Sequence, residues 1–281
     1  MSDHDRKRDR EEPFIIGSVG ELLRPATRRK FFRMMGTSGA IVLLPSVFAG
    51  CDDDDDGPSG NERPQPVTAV TFDLRTDVGI FRLVHVLEIV EGAFYTAVVN
   101  KSDFTTIFNA DAQEVLRDIR NAEVIHREFV RTALGAQAVP DFSSQLNQTT
   151  LAAALSSAAS ILTTARMLES LGVSGLNGGG KYIKDVRNLL VAGKVASVEA
   201  RHLAALRELQ PPAGVDANLA FASDETIDPN GRDIKQEAGE ILARVKAMDI
   251  ISEPLETNIT ISNPPDASQG VPTPSFFPPT P

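Results

Sequence analysis

The chain has 281 residues, enough for one large or two small domains with a real core. It is 42% hydrophobic with no Trp, which suits an Ala/Leu/Val-rich helical protein, and its single cysteine excludes an internal disulfide. The formal net charge is -10, although residues 1–50 hold nine Lys/Arg against six Asp/Glu. The rest of the chain is therefore strongly acidic and lacks the basic footprint of a nucleic-acid binder, so no nucleic-acid partner is expected.

In residues 1–50, Arg28 and Arg29 precede Lys30-Phe31-Phe32-Arg33, and an apolar stretch runs from Met34 to Phe48. Gly36, Ser38, Gly39 and Pro45 interrupt it, which makes it too short and too polar for a membrane span. A positive region, a short apolar region and small residues at its end form an export signal. The paired arginines resemble the twin-arginine consensus, which implies export to the periplasm or cell envelope. Cys51 follows Phe48-Ala49-Gly50, which resembles a lipobox, so Cys51 is the expected lipidation site; simple signal cleavage nearby is the alternative. Residues 51–66, with the acidic run Asp52 to Asp56, read as a solvated tether.

Residues 67–212 show four long helical patterns. In the first, Ile80, Val84, Leu87, Glu88, Glu91 and Tyr95 share a face. Two carboxylates on an otherwise apolar face are costly to bury unless something binds them. His85 is expected to be a surface or hydrogen-bonded core histidine. The second pattern covers 110–134, with Leu116, Ile119, Glu123, His126 and Val130 on its stripe; Gly135 and Pro140 end it. A long irregular connection follows, of a length that crosses a bundle. The third pattern begins near Thr149 with Leu151, Leu155, Ala158, Leu162 and Ala165, and its inward carboxylate is Glu169. Gly172, Gly175 and Gly178 to Gly180 are expected to break or kink it, leaving Glu169 beside the break. The fourth runs over 183–209, with Ala192, Val195, Glu199, His202 and Leu206 inward.

Two units of Glu-x-x-His, Glu123 to His126 and Glu199 to His202, use two of the chain's four histidines. On a helix, residues three apart project from one face, so each unit aims a carboxylate and an imidazole at one point. One Glu, then Glu-x-x-His, one Glu and Glu-x-x-His, on successive helices, is similar to the ferritin-like di-metal carboxylate proteins. More narrowly, Leu87 to Tyr95 (LEIVEGAFY) resembles the "LEYLEAxFY" segment of the ferritin-like domain family that includes the desiccation-related proteins, and Glu199-Ala-Arg-His202 resembles its "EARH". Ser174-Gly175-Leu176-Asn177 departs from the Ala-Tyr-x-Gly segment usual there.

The resemblance covers roughly residues 70–210. It implies an all-α fold: a ferritin-like four-helix bundle with a long crossover between helices 2 and 3. It implies Glu88, Glu123, His126, Glu169, Glu199 and His202 as ligands of two metal ions, iron or manganese. Glu123 and Glu169 or Glu199 would bridge them, with Glu91 and Tyr95 as neighbours. The implied function is redox protection of a ferroxidase or peroxide-consuming kind. The alternative is a ferritin-like envelope lipoprotein without turnover, with a structural or binding role in stress or desiccation protection. The expected partners are a membrane through the lipid anchor, a second copy in a homodimer, and a small oxidant such as peroxide or oxygen. No Gly-x-Ser-x-Gly or phosphate-cradling glycine loop points to other chemistry.

Residues 213–262 are read as an extension with one accessory helix over 233–248, and 263–281 as a Pro-rich extended tail.

Overall fold

Thr76 opens the first long helix. Its side chain accepts from the Gly79 backbone N–H at 3.0 Å, satisfying one of the donors a helix start leaves free. The computed structural model describes residues 65–216, 220–222 and 226–270, all within one compact unit, Gly60–Pro281. Both export arginines, Cys51, the acidic run and residues 271–281 lie outside the described residues.

The elements in order are strand β1 (Val70–Asp73) and helices α1 (Asp77–Val99), α2 (Phe104–Ile107), α3 (Ala110–Leu134), α4 (Gln148–Ala154), α5 (Ala158–Gly180), α6 (Val186–Leu209) and α7 (Ala238–Ala247), then strand β2 (Ile259–Asn263). The fold is all-α, a ferritin-like four-helix bundle of α1, α3, α5 and α6. α1 pairs chiefly with α3 and α5 with α6; α1 also meets α5, and α3 meets α6 more sparsely. α1 is buried nearly all round, including Val86, Ile89, Val90 and Phe94, as befits the central helix. Each such side chain taken fully from water contributes about 1.5–3 kcal/mol.

Caps fix where the helices begin and end. Asn109 accepts from the Ala112 N–H at 2.9 Å to start α3, and Gly135, at φ 54°, ends it in a backbone region that favours glycine. The crossover from α3 to α5 is pinned to the segments that flank the bundle: the Val67 N–H donates to Gln145 Oε1 at 2.7 Å, and the Asn147 N–H donates to the Ile250 carbonyl at 2.9 Å. The α5–α6 turn is held to the start of α1 by Asp77, which accepts from the Lys184 and Asp185 N–H groups at 2.8 and 3.0 Å.

Three expectations are corrected. The third pattern is two helices, α4 and α5, bent by 114°, because Ser157 turns the chain and caps α5 through the Ser160 N–H. α5 does not break at its glycines but runs through them to Gly180; at Gly172, Gly175 and Gly178 close neighbours occupy the space that side chains would need. The accessory helix is shorter than 233–248, because the Gln236 N–H donates instead to the Ser174 carbonyl at 2.9 Å. β1 and β2, a parallel pair with Val70 opposite Ile259, were not anticipated. Among the described residues no single helix is long and apolar enough to cross a membrane.

Candidate metal centre

Each long helix delivers acidic or imidazole side chains near its mid-length. α1 supplies Glu88, Glu91 and Tyr95, α3 supplies Glu123 and His126, α5 supplies Glu169, and α6 supplies Glu199 and His202. Glu123 and Glu169 are fully buried, and Glu88, Glu91 and Glu199 nearly so. Glu169 lies mid-helix in α5, far from any break.

The donor atoms fall into two overlapping groups. Glu88, Glu123, His126 and Glu199 form one, and Glu123, Glu169, Glu199 and His202 the other; within each group the donors lie within 4.8 Å of one another. Glu123 and Glu199 belong to both, so Glu199 rather than Glu169 is the second shared carboxylate. His126 Nδ1 stands 3.0 Å from Glu199 Oε1, 3.3 Å from Glu123 Oε2 and 3.6 Å from Glu88 Oε2. His202 Nδ1 stands 2.7 Å from Glu123 Oε1 and 3.3 Å from Glu169 Oε2.

These separations fit ligation. Donors about 2.1 Å from one ion and at right angles to each other lie about 3.0 Å apart. Glu88 Oε2, Glu123 Oε1, Glu169 Oε2, both Glu199 oxygens and His202 Nδ1 are buried without a well-formed hydrogen bond. Buried polar atoms seldom go unsatisfied, and here they gather within the two donor groups. Four carboxylates would also balance the charge of two divalent ions. The residues present therefore form a buried Glu/His cluster compatible with a metal centre.

Without an ion the cluster redistributes protons. Burial pushes Glu88 up to about 8, and raises Glu91, Glu199 and Glu169, each further lifted by neighbouring carboxylates. Burial would raise Glu123 too, but His126 and His202 outweigh it and hold it down at about 2. Burial disfavours a charged His202, yet Glu169 and Glu123 lift it to about 11; His126 is lifted for the same reason by Glu88, Glu123 and Glu199.

Tyr95 donates its hydroxyl to Glu169 Oε1 at 2.6 Å, fixing that carboxylate's orientation. Tyr95→Phe leaves Glu169 Oε1 buried and unpaired, and should cost about 1–3 kcal/mol, measured by denaturant unfolding of the metal-free protein. A residue missed in the sequence is Gly172. A Cβ there would stand 3.0 Å from Glu199 Oε2, so the glycine makes room for a shared carboxylate; a small residue three positions after an inward Glu was the available signal.

His85 joins neither group. It is buried rather than on the surface, and neither ring nitrogen has a hydrogen-bond partner, so the expected surface or hydrogen-bonded role is corrected. Burial lowers its pKa from 6.5 to about 4 despite Glu128 nearby. Between those values the unfolded chain holds a proton that the folded one refuses, so stability falls as pH drops through this window. His85→Leu should remove up to one proton's share of that slope, about 1.4 kcal/mol per pH unit, in unfolding measured from pH 6.5 to 4.

No match to the chain is found among the curated proteins. Residues 76–211, the stretch that carries all four bundle helices and every donor described above, match the family model of the ferritin-like domain.

Proposed function

We propose that the protein is an exported ferritin-like protein that holds a di-iron or di-manganese centre and uses it protectively against oxidants, oxidising metal or consuming peroxide. The observation that carries this reading is the pair of donor groups sharing Glu123 and Glu199. Mixed carboxylate and imidazole donors suit iron or manganese, which would supply reversible redox chemistry towards oxygen or peroxide. In this reading Glu88 and His126 complete one position, and Glu169 and His202 the other. Tyr95 steadies Glu169, and the apolar residues of α1 and α5 keep bulk water away.

The reading without turnover leans on the expectation that Glu169 lies beside a glycine-rich break; its place mid-helix among the donors supports the metal-holding reading instead. Arg28 and Arg29 support export by the twin-arginine route, and Cys51 supports a lipid anchor in the cell envelope.

The test is elemental analysis of the full chain purified without chelator, followed by ferroxidase and peroxide-consumption assays. About two equivalents of iron or manganese with turnover in either assay support the reading. No metal sinks it, and metal without turnover leaves the binding role. Loading should release protons, because His126, His202, Glu88 and Glu199 give theirs up; affinity should therefore weaken as pH falls. For export, Cys51→Ser should free the protein from the membrane fraction; unchanged sedimentation would count against the anchor.

A further inference from the structure

A second approach to the cluster lies away from the histidines. A cavity of about 40 Å³ runs between α1 and α5, and neither α3 nor α6 lines it. Glu88 and Glu91 are the acidic residues among its lining. Glu91 is buried, and its Oε1 has no hydrogen-bond partner. The sides are apolar: Leu83, Val84 and Leu87 from α1 face Gly172, Gly175 and Leu176 from α5. The glycines keep the space open: a Cβ at Gly175 would already touch the Ile241 side chain at 3.4 Å.

The outer wall has a different origin. Leu74, Ala238, Ile241 and Pro265 close the cavity, and all four lie outside the matched domain, residues 76–211. The turn after β1 and the extension after the bundle therefore supply part of the cavity's wall. Since a water needs about 10–15 Å³, the space admits about three or four atoms of that size, and apart from Glu88, Glu91 and Tyr182 the side chains that line it are apolar.

We propose that this cavity admits and holds small apolar molecules of two or three heavy atoms, dioxygen being the redox-active member of that class, on their way to the carboxylate side of the centre, and that the C-terminal extension sets its width. The proposal rests on the di-metal reading above.

Xenon, an apolar probe of suitable size, tests it in the metal-free full chain, by diffraction under xenon pressure. The expected result is a xenon site among Leu83, Leu176 and Ile241, lost in Ala238→Phe, whose ring would fill the mouth, and better occupied in Leu83→Ala. Thermal unfolding confirms that each variant folds, and the widened variant decides the matter if Ala238→Phe does not. No xenon between α1 and α5, or occupancy indifferent to both changes, overturns the proposal. Metal content separates the two failures: two ions bound without a xenon site removes the passage alone, whereas xenon in a chain that takes no metal removes the function and with it the route.

Discussion

Glu123→Ala should empty both metal positions, whereas Glu88→Ala should empty only one. Glu123 stands in both donor groups and Glu88 in the first alone. The two Glu123 oxygens are divided, Oε1 at 2.7 Å from His202 and Oε2 at 3.3 Å from His126. Its loss therefore removes a donor from each position and the one cluster carboxyl held low, at about 2. Metal content should fall from about two equivalents to near none in Glu123→Ala and to about one in Glu88→Ala. Equal losses in the two variants would mean that Glu123 does not bridge. The metal-free protein should also suffer, since removing one partner from a buried charged pair costs about 3–5 kcal/mol, less whatever the histidines recover by losing protons. Glu123→Gln, which keeps the shape, separates lost packing from lost charge.

The other large effect lies on α5. At Gly178 a Cβ would stand 1.8 Å from the carbonyl oxygen of Gln236, and that neighbour is backbone, not a flexible side chain. Gly178→Ala must push the segment before α7 away from α5 and should cost about 3 kcal/mol or more. The next residue gives the opposite result. A Cβ at Gly179 would meet the Ile80 side chain at 3.6 Å, an ordinary contact, so Gly179→Ala should be neutral or gain up to about 1 kcal/mol from helix propensity. Parallel urea unfolding of the two variants checks the pair; similar midpoints would show that the extension does not pack against α5 as described.

This contrast explains what the sequence could and could not disclose. The Glu-x-x-His units were readable because a spacing of three places two side chains on one helix face wherever the helix goes. The glycines of α5 were misread because propensity is local, while the reason for them is tertiary: Glu199 against Gly172, Ile241 against Gly175 and Gln236 against Gly178. The actual break, at Ser156 and Ser157, carries neither Gly nor Pro to mark it; Ser157 makes the turn by capping α5. Pairing of β1 with β2 was invisible for another reason. Val70 and Ile259 lie at opposite ends of the domain's sequence, and strands of four and five residues carry too little alternation to announce themselves. His85 shows the limit on the side of chemistry: it lies three residues before Glu88 in the sequence, but only packing decides that charged α3 residues neighbour it and that it joins neither donor group.

The most direct measurement is anomalous diffraction at the iron and manganese edges from crystals of the full chain loaded with each metal. The account predicts two peaks about 3.5–4 Å apart, one among Glu88, Glu123, His126 and Glu199 and the other among Glu123, Glu169, Glu199 and His202. A single peak, or peaks away from Glu123 and Glu199, would contradict it.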